Sequence, residues 1–98
     1  MLSVADIKAK VEPIVKNTPV KKIVLFGSYA KGLATEKSDI DLYMASNGVI
    51  TGLAFFDLRG RIEEALNMDI DLLPDLDIIP NSRIQQEIDK TGVVIYEK

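Results

Sequence analysis

The sequence predicts a single α/β (α+β) domain spanning residues 1–98, one small mixed β-sheet packed by helices. Three observations carry this expectation. The chain has 98 residues, which fits one domain because domains run to roughly 100–200 residues. Short apolar or alternating runs interleave with stretches of helical periodicity in the order helix, strand, strand, helix, strand, helix, strand. No repeat, low-complexity segment or linker divides the chain. With 47% hydrophobic and 28% charged residues, a chain this size buries roughly 60–70% of its unfolded surface, which excludes disorder and collagen-like repeats.

Ser3 and Asp6 form a capping-box pattern with Asp in place of the usual Glu, and Val4, Ile7, Val11, Ile14 and Val15 follow at helical spacing. The first helix therefore runs from about Val4 to Lys16. Pro13 has no amide proton and its ring crowds the preceding turn, so a kink or restart is expected near Glu12. Ile23-Val24-Leu25-Phe26 reads as a strand buried on both faces, closed by Gly27. Gly27-Ser28 turns the chain, and Tyr29 to Leu33 can form a short helix. Thr35 to Ser38 is a loop feeding a second strand, Asp39 to Met44, in which Asp39, Asp41 and Tyr43 share one face and Ile40, Leu42 and Met44 the other.

Asn47-Gly48 and Gly52 mark a connection. Phe55, Leu58, Ile62, Ala65 and Leu66 then recur at helix spacing as far as Asn67, with Gly60 costing about 1 kcal/mol relative to Ala within that helix. Asp69 to Leu73 alternates as a third strand ended by Pro74. Asn81 or Ser82 can cap a last helix carrying Ile84 and Ile88, Gly92 can end it, and Val93 to Tyr96 is the closing strand.

Composition narrows the chemistry. Twelve Lys and Arg against fifteen Asp and Glu give a net charge of −3, so the overall field repels phosphate backbones and direct nucleic-acid binding is not expected. The absence of Cys removes disulfide scaffolds, thiolate zinc sites and Cys nucleophiles. The absence of His removes Ser-His-Asp triads, imidazole ligands and His bases. Chemistry must therefore run on carboxylates, hydroxyls, Lys, Arg or bound ions. Asp6 and the lack of a long apolar run exclude a secretory h-region and a membrane span, so an intracellular, cytoplasmic protein is expected.

Asp39 and Asp41 lie two apart on a strand, which puts both carboxylates on one face. At about 4 Å two such charges repel by about 4 kcal/mol at an effective dielectric near 20, a conflict that a cation between them resolves. Magnesium suits them because it takes oxygen ligands and keeps positions for water and phosphate. Asp69 and Asp71 repeat the spacing on the third strand, and one of them completes a three-carboxylate cluster suited to two-metal catalysis if the strands are adjacent. On its own, Asp-x-Asp fits a solvent-facing edge strand equally well. Gly27-Ser28 lets backbone approach a phosphate, with the Ser hydroxyl and free amides as donors, although by itself it is more often an ordinary turn. Lys31 could contact phosphate or stay solvated. Tyr43 could stack on a base, but packing at the sheet margin is the commoner role. Arg59 and Arg61 share no helix face and read as surface residues, as do Lys8, Lys10, Lys16, Lys21 and Lys22.

Taken together, Gly27-Ser28-Tyr29-Ala30-Lys31-Gly32, Ser38-Asp39-Ile40-Asp41-Leu42 and Ile70-Asp71-Leu72-Leu73 resemble the signature of the polymerase-beta-like nucleotidyltransferases, in particular the minimal nucleotidyltransferase (MNT) domains. The resemblance covers roughly residues 20 to 98, through Gly92-Val93-Val94-Ile95-Tyr96-Glu97. It implies that fold, with Gly27, Ser28 and Lys31 at the nucleotide phosphates. It also implies Asp39, Asp41 and Asp71 as catalytic carboxylates and magnesium ligands, for two Mg2+ ions with ATP as substrate. Asp71 takes the third place ahead of Asp69 because two apolar residues follow it. Asn67-Met68-Asp69 departs from the Gly and basic residue common before this strand, which keeps open whether Asp69 assists Asp71 as an auxiliary ligand.

The resemblance further implies transfer of AMP to a hydroxyl, with Asp71 helping to deprotonate the acceptor. Larger relatives carry a separate acceptor domain and this length leaves none, so the acceptor is expected on a partner protein. MNT domains resemble the antitoxin halves of toxin–antitoxin pairs whose partner is a helical HEPN ribonuclease, which makes a toxin Tyr the expected target. The alternatives are a non-catalytic module that neutralises a partner by contact, and a small-molecule (antibiotic) nucleotidyltransferase, which the lack of an enclosing lobe disfavours.

Overall fold

The computed structural model describes residues 2–98. Its elements run α1 (Val4–Val15), β1 (Lys22–Phe26), α2 (Gly27–Lys31), β2 (Ile40–Ala45), α3 (Gly52–Leu66), β3 (Ile70–Pro74), a 3₁₀ turn (Asp75–Asp77), α4 (Arg83–Thr91) and β4 (Val93–Glu97). The sheet order is β3-β2-β1-β4. β1 is antiparallel to β2 and β4, whereas β2 and β3 are parallel, so the sheet is mixed.

Local signals set most of these boundaries. The Ser3 hydroxyl accepts from the Asp6 amide at 3.1 Å and the Ser3 amide donates to Asp6 Oδ2 at 3.0 Å, completing the capping box. Those bonds hold the Asp6 carboxyl below its ordinary pKa. α3 ends at Asn67, which adopts a left-handed φ of 53°. Ser82 caps α4 through the Gln85 amide at 3.2 Å.

The core lies on one face of the sheet. Ile23, Leu25, Ile40, Leu42, Met44, Ile70 and Leu72 pack there with Ile7, Val11 and Val15 of α1 and Leu58, Ile62 and Leu66 of α3. α2 and α4 contact each other and β1, and a Cβ on Gly92, at the end of α4, would press on Val24. Val24 pairs with Tyr43, which puts α4 on the opposite face, the one carrying Tyr43 and Asp41.

Three local expectations need correction. α1 continues through Pro13 without restarting. Pro13 stands in the last turn with its side chain in solvent, only the exposed Ala9 carbonyl loses its donor, and Ile7, Val11 and Val15 anchor the helix in the core. The short second helix begins at Gly27 and not at Tyr29, so Gly27-Ser28 is its first turn. Asp39 precedes β2 by one residue.

Gly60 lies exposed inside α3 with nothing within 4 Å of an added Cβ. Gly60→Ala is therefore expected to stabilise the fold by about 0.5–1 kcal/mol, through lower unfolded-state entropy and better helix propensity. An increased denaturant midpoint at unchanged m-value checks this.

Candidate active site

The site follows from strand register. Asp41 and Asp71 are direct partners across the parallel β2–β3 pair, so their side chains leave the same face on strands about 4.8 Å apart. On the other flank, Asp41 pairs with Phe26, the last residue of β1. There the chain turns into α2 through Gly27, whose φ is +73°. A Cβ at Gly27 would overlap Asp41 Oδ2, so glycine is required both for the backbone conformation and for the approach of the carboxylate. Ser28 follows in the first turn of α2, half-buried. The Tyr29 hydroxyl donates to Met68 Sδ at 3.6 Å, which ties α2 to the segment entering β3.

Half-buried Asp41 has its carboxyl pushed above the ordinary carboxylate range, first by burial and then by the charges of Asp71, Glu87 and Asp39. Both other acids expected from the sequence, Asp39 and Asp71, are thus near enough to act on Asp41. Asp39 and Asp71 are exposed, and among the described residues no three acidic side chains are drawn closely enough together to hold a metal ion as they stand. Register joins Asp41 to Asp71, while Asp39 approaches from the loop before β2. Asp69 is not among the charges that raise Asp41; it lines a shallow cleft with Glu63, Glu64, Asn67 and Met68.

The family model described as Polymerase beta, Nucleotidyltransferase matches residues 9–98. The chain belongs to that family. A relative in Methanocaldococcus jannaschii, provisionally named a protein adenylyltransferase, is 38% identical over 71 residues, covering 71% of this chain and 72% of its own. A crystal structure of a toxin–antitoxin with AMP-PNP superposes with a TM-score of 0.74 at 23% identity, covering 93% of this chain and 73% of that one. A complex of tri-AMPylated Shewanella oneidensis HEPN toxin with MNT antitoxin gives 0.69 at 20% identity, covering 97% of this chain and 73% of that one. At those identities the likeness is one of fold.

In this nucleotidyltransferase the sequence reading missed Glu87. It stands on α4, 25% exposed, with Oε1 2.8 Å from Lys31 Nζ. The pair joins α2 to α4, so the motif lysine is directed at a carboxylate and is not simply solvated. Only the packing of α4 over β1 brings Glu87 near Asp41; the available sequence signal was its place beside Ile88 on the covered side of the helix.

Tyr43 shares the carboxylate face, half-buried, and its hydroxyl is raised above the usual phenol range by burial and then by Asp75 and Asp89. Arg61 is exposed and paired to Asp57 at 3.1 Å, whereas Arg59 is half-buried beside Glu63 at 3.7 Å, less of a surface residue than its spacing implied. Among the described residues no helix is long and apolar enough to cross a membrane.

Proposed function

We propose that this nucleotidyltransferase acts as a single domain, in the cytoplasm where ATP is supplied, moving AMP from ATP to a hydroxyl of a partner protein. The partner in this reading is a HEPN-type toxin, the acceptor a Tyr, and the chain its antitoxin. The single observation that carries the reading is the in-register Asp41–Asp71 pair set against the Gly27-Ser28 turn. The names of the similar proteins, an adenylyltransferase and complexes of toxin with antitoxin, agree with it.

The donor set fits magnesium. Asp39, Asp41 and Asp71 offer only hard carboxylate oxygens, and the missing Cβ at Gly27 leaves Asp41 Oδ2 its place beside the turn. These three would hold the ions, which supply charge neutralisation on the phosphates and a more acidic acceptor hydroxyl. The chain's own groups do the positioning. The Ser28 hydroxyl makes no hydrogen bond to another described residue and is free to donate to a phosphate oxygen. Lys31 adds a cation at the far end of the same short helix. Asp71, exposed beside half-buried Asp41, can meet an acceptor arriving from solvent and take its proton. The acceptor oxygen then bonds to the α-phosphorus as the bond to the bridging oxygen breaks, and pyrophosphate leaves.

Incubating the purified protein with Mg-ATP and the product of the adjacent gene is expected to add AMP units to that product, read as intact mass. An Asp39→Asn, Asp41→Asn double variant is expected to abolish the addition. No added mass on any partner from a folded protein overturns the enzymatic reading, and neutralisation that survives the double variant replaces catalysis with contact.

A further inference from the structure

The motif leaves unexplained a second surface at the opposite end of β2 and β3. Leu53, Phe56 and Leu76 are 88%, 61% and 68% exposed, and exposed apolar side chains grouped in this way mark an interaction site. Phe56 and Leu76 line a groove of about 260 Å³ between the start of α3 and the 3₁₀ turn, with Ile50 and Phe55. Leu53 stands one helical turn before Phe56 and extends the strip.

The charge beside the groove is of one sign. Asp75 and Asp77 line it, no Lys or Arg does, and residues 74–80 contain no basic residue. Asp75 Oδ2 accepts from the Ser46 and Asn47 amides at 3.2 and 2.9 Å, while Oδ1 is buried without a partner among the described residues. Among the described residues no Lys or Arg forms an ion pair with this carboxylate. A second copy docking face to face would bring these acids against their own images, so the complement is a basic partner.

We infer that this groove docks the protein whose hydroxyl is modified, taking an amphipathic helix that lays apolar side chains between Phe56 and Leu76 and sets Lys or Arg against exposed Asp77, with Asp75 adding to the field beneath. The inference rests on the adenylyl-transfer reading. Helix-in-groove recognition places its anchors in such apolar strips, and the acidic rim steers a basic partner toward them. The geometry connects the groove to the chemistry. Asp75 directly follows β3, on which Asp71 sits four residues earlier, a distance of about 13 Å along a strand. α3 packs on the core face of the sheet, whereas Asp71 lies on the opposite face with Tyr43, which is within the field of Asp75, so a partner anchored at the groove reaches Asp71 by passing round the end of β3.

The test uses the full chain, with the recombinant product of the adjacent gene as probe. Phe56→Asp changes an exposed side chain and is expected to weaken binding by calorimetry, and to raise KM for the protein acceptor, by about 50-fold, as loss of a central aromatic anchor does. Mg-ATP affinity and the melting temperature are expected to stay unchanged. Asp77→Lys is expected to slow association and flatten its salt dependence. Unchanged acceptor labelling by both variants overturns the inference. So does a wild-type dimer in light scattering that Phe56→Asp dissociates, which assigns the surface to a second copy. Wild-type binding without AMP addition removes the catalytic reading alone, whereas absence of both binding and labelling removes the two together.

Discussion

Asp41→Asn is expected to abolish transfer while making the nucleotide-free protein more stable. The carboxylate is half-buried, faces Asp71 across the parallel pair, and has Glu87 and Asp39 as further like charges. Its ionised form is therefore disfavoured in the fold, which is why its pKa is raised. The linkage sign follows. A carboxyl with a raised folded-state pKa adds stability below its unfolded value of about 3.9, and that increment is lost as pH rises through the folded value. At neutral pH the wild type bears the full repulsion, which the amide removes. The melting temperature of Asp41→Asn is expected to exceed that of the wild type at pH 7, and the gap to close as pH falls toward about 4. Transfer is expected to fall by about 10³-fold or more, the scale on which loss of a group that stabilises transition-state charge is felt. Asp69→Asn is the control, because Asp69 is not among the charges that raise Asp41. Thermal melts across pH with intact-mass kinetics check both halves, and a destabilised Asp41→Asn protein would contradict the account of the site's electrostatics. The opposing effects exemplify a functional group retained at a cost in stability.

The legible parts of this fold were those written locally. Ser3 and Asp6, Ser82, Gly92 and the alternation of Ile40, Leu42 and Met44 each specify structure within a few residues, and each element they imply is present. The Asp41–Asp71 pairing was legible only conditionally, because spacing gives each strand's face but not which strands are neighbours; the parallel β2–β3 register supplies that. Three features were set by packing at a distance. Pro13 broke a local rule that the α1–sheet contact overrides. The 3₁₀ turn at Asp75 is held by amides of Ser46 and Asn47, far away in sequence. Glu87 joins the site only because α4 lies against α2 and β1.

Gly27→Ala and Gly32→Ala separate backbone strain from site geometry, and the first is expected to cost far more. Both glycines have φ of +73°, so an Ala at either carries about 1–2 kcal/mol of left-handed strain. At Gly32 an added Cβ meets nothing within 4 Å, whereas at Gly27 it overlaps Asp41 Oδ2. The Gly32 variant is thus expected to lose stability by that amount and to keep its transfer rate per folded molecule. The Gly27 variant must also displace the carboxylate or tilt α2, carrying Ser28 with it. A displacement near 1 Å costs about 10²-fold in rate when reacting groups must be aligned, in addition to the stability loss. Denaturant melts compare the stabilities, and single-turnover labelling at saturating Mg-ATP compares the rates. Equal rates in the two variants would mean that the contact between the turn and Asp41 does not set the geometry of the chemistry. A selective loss at Gly27 would show that one missing Cβ lets the β1–α2 turn and the β2 carboxylate share the same site.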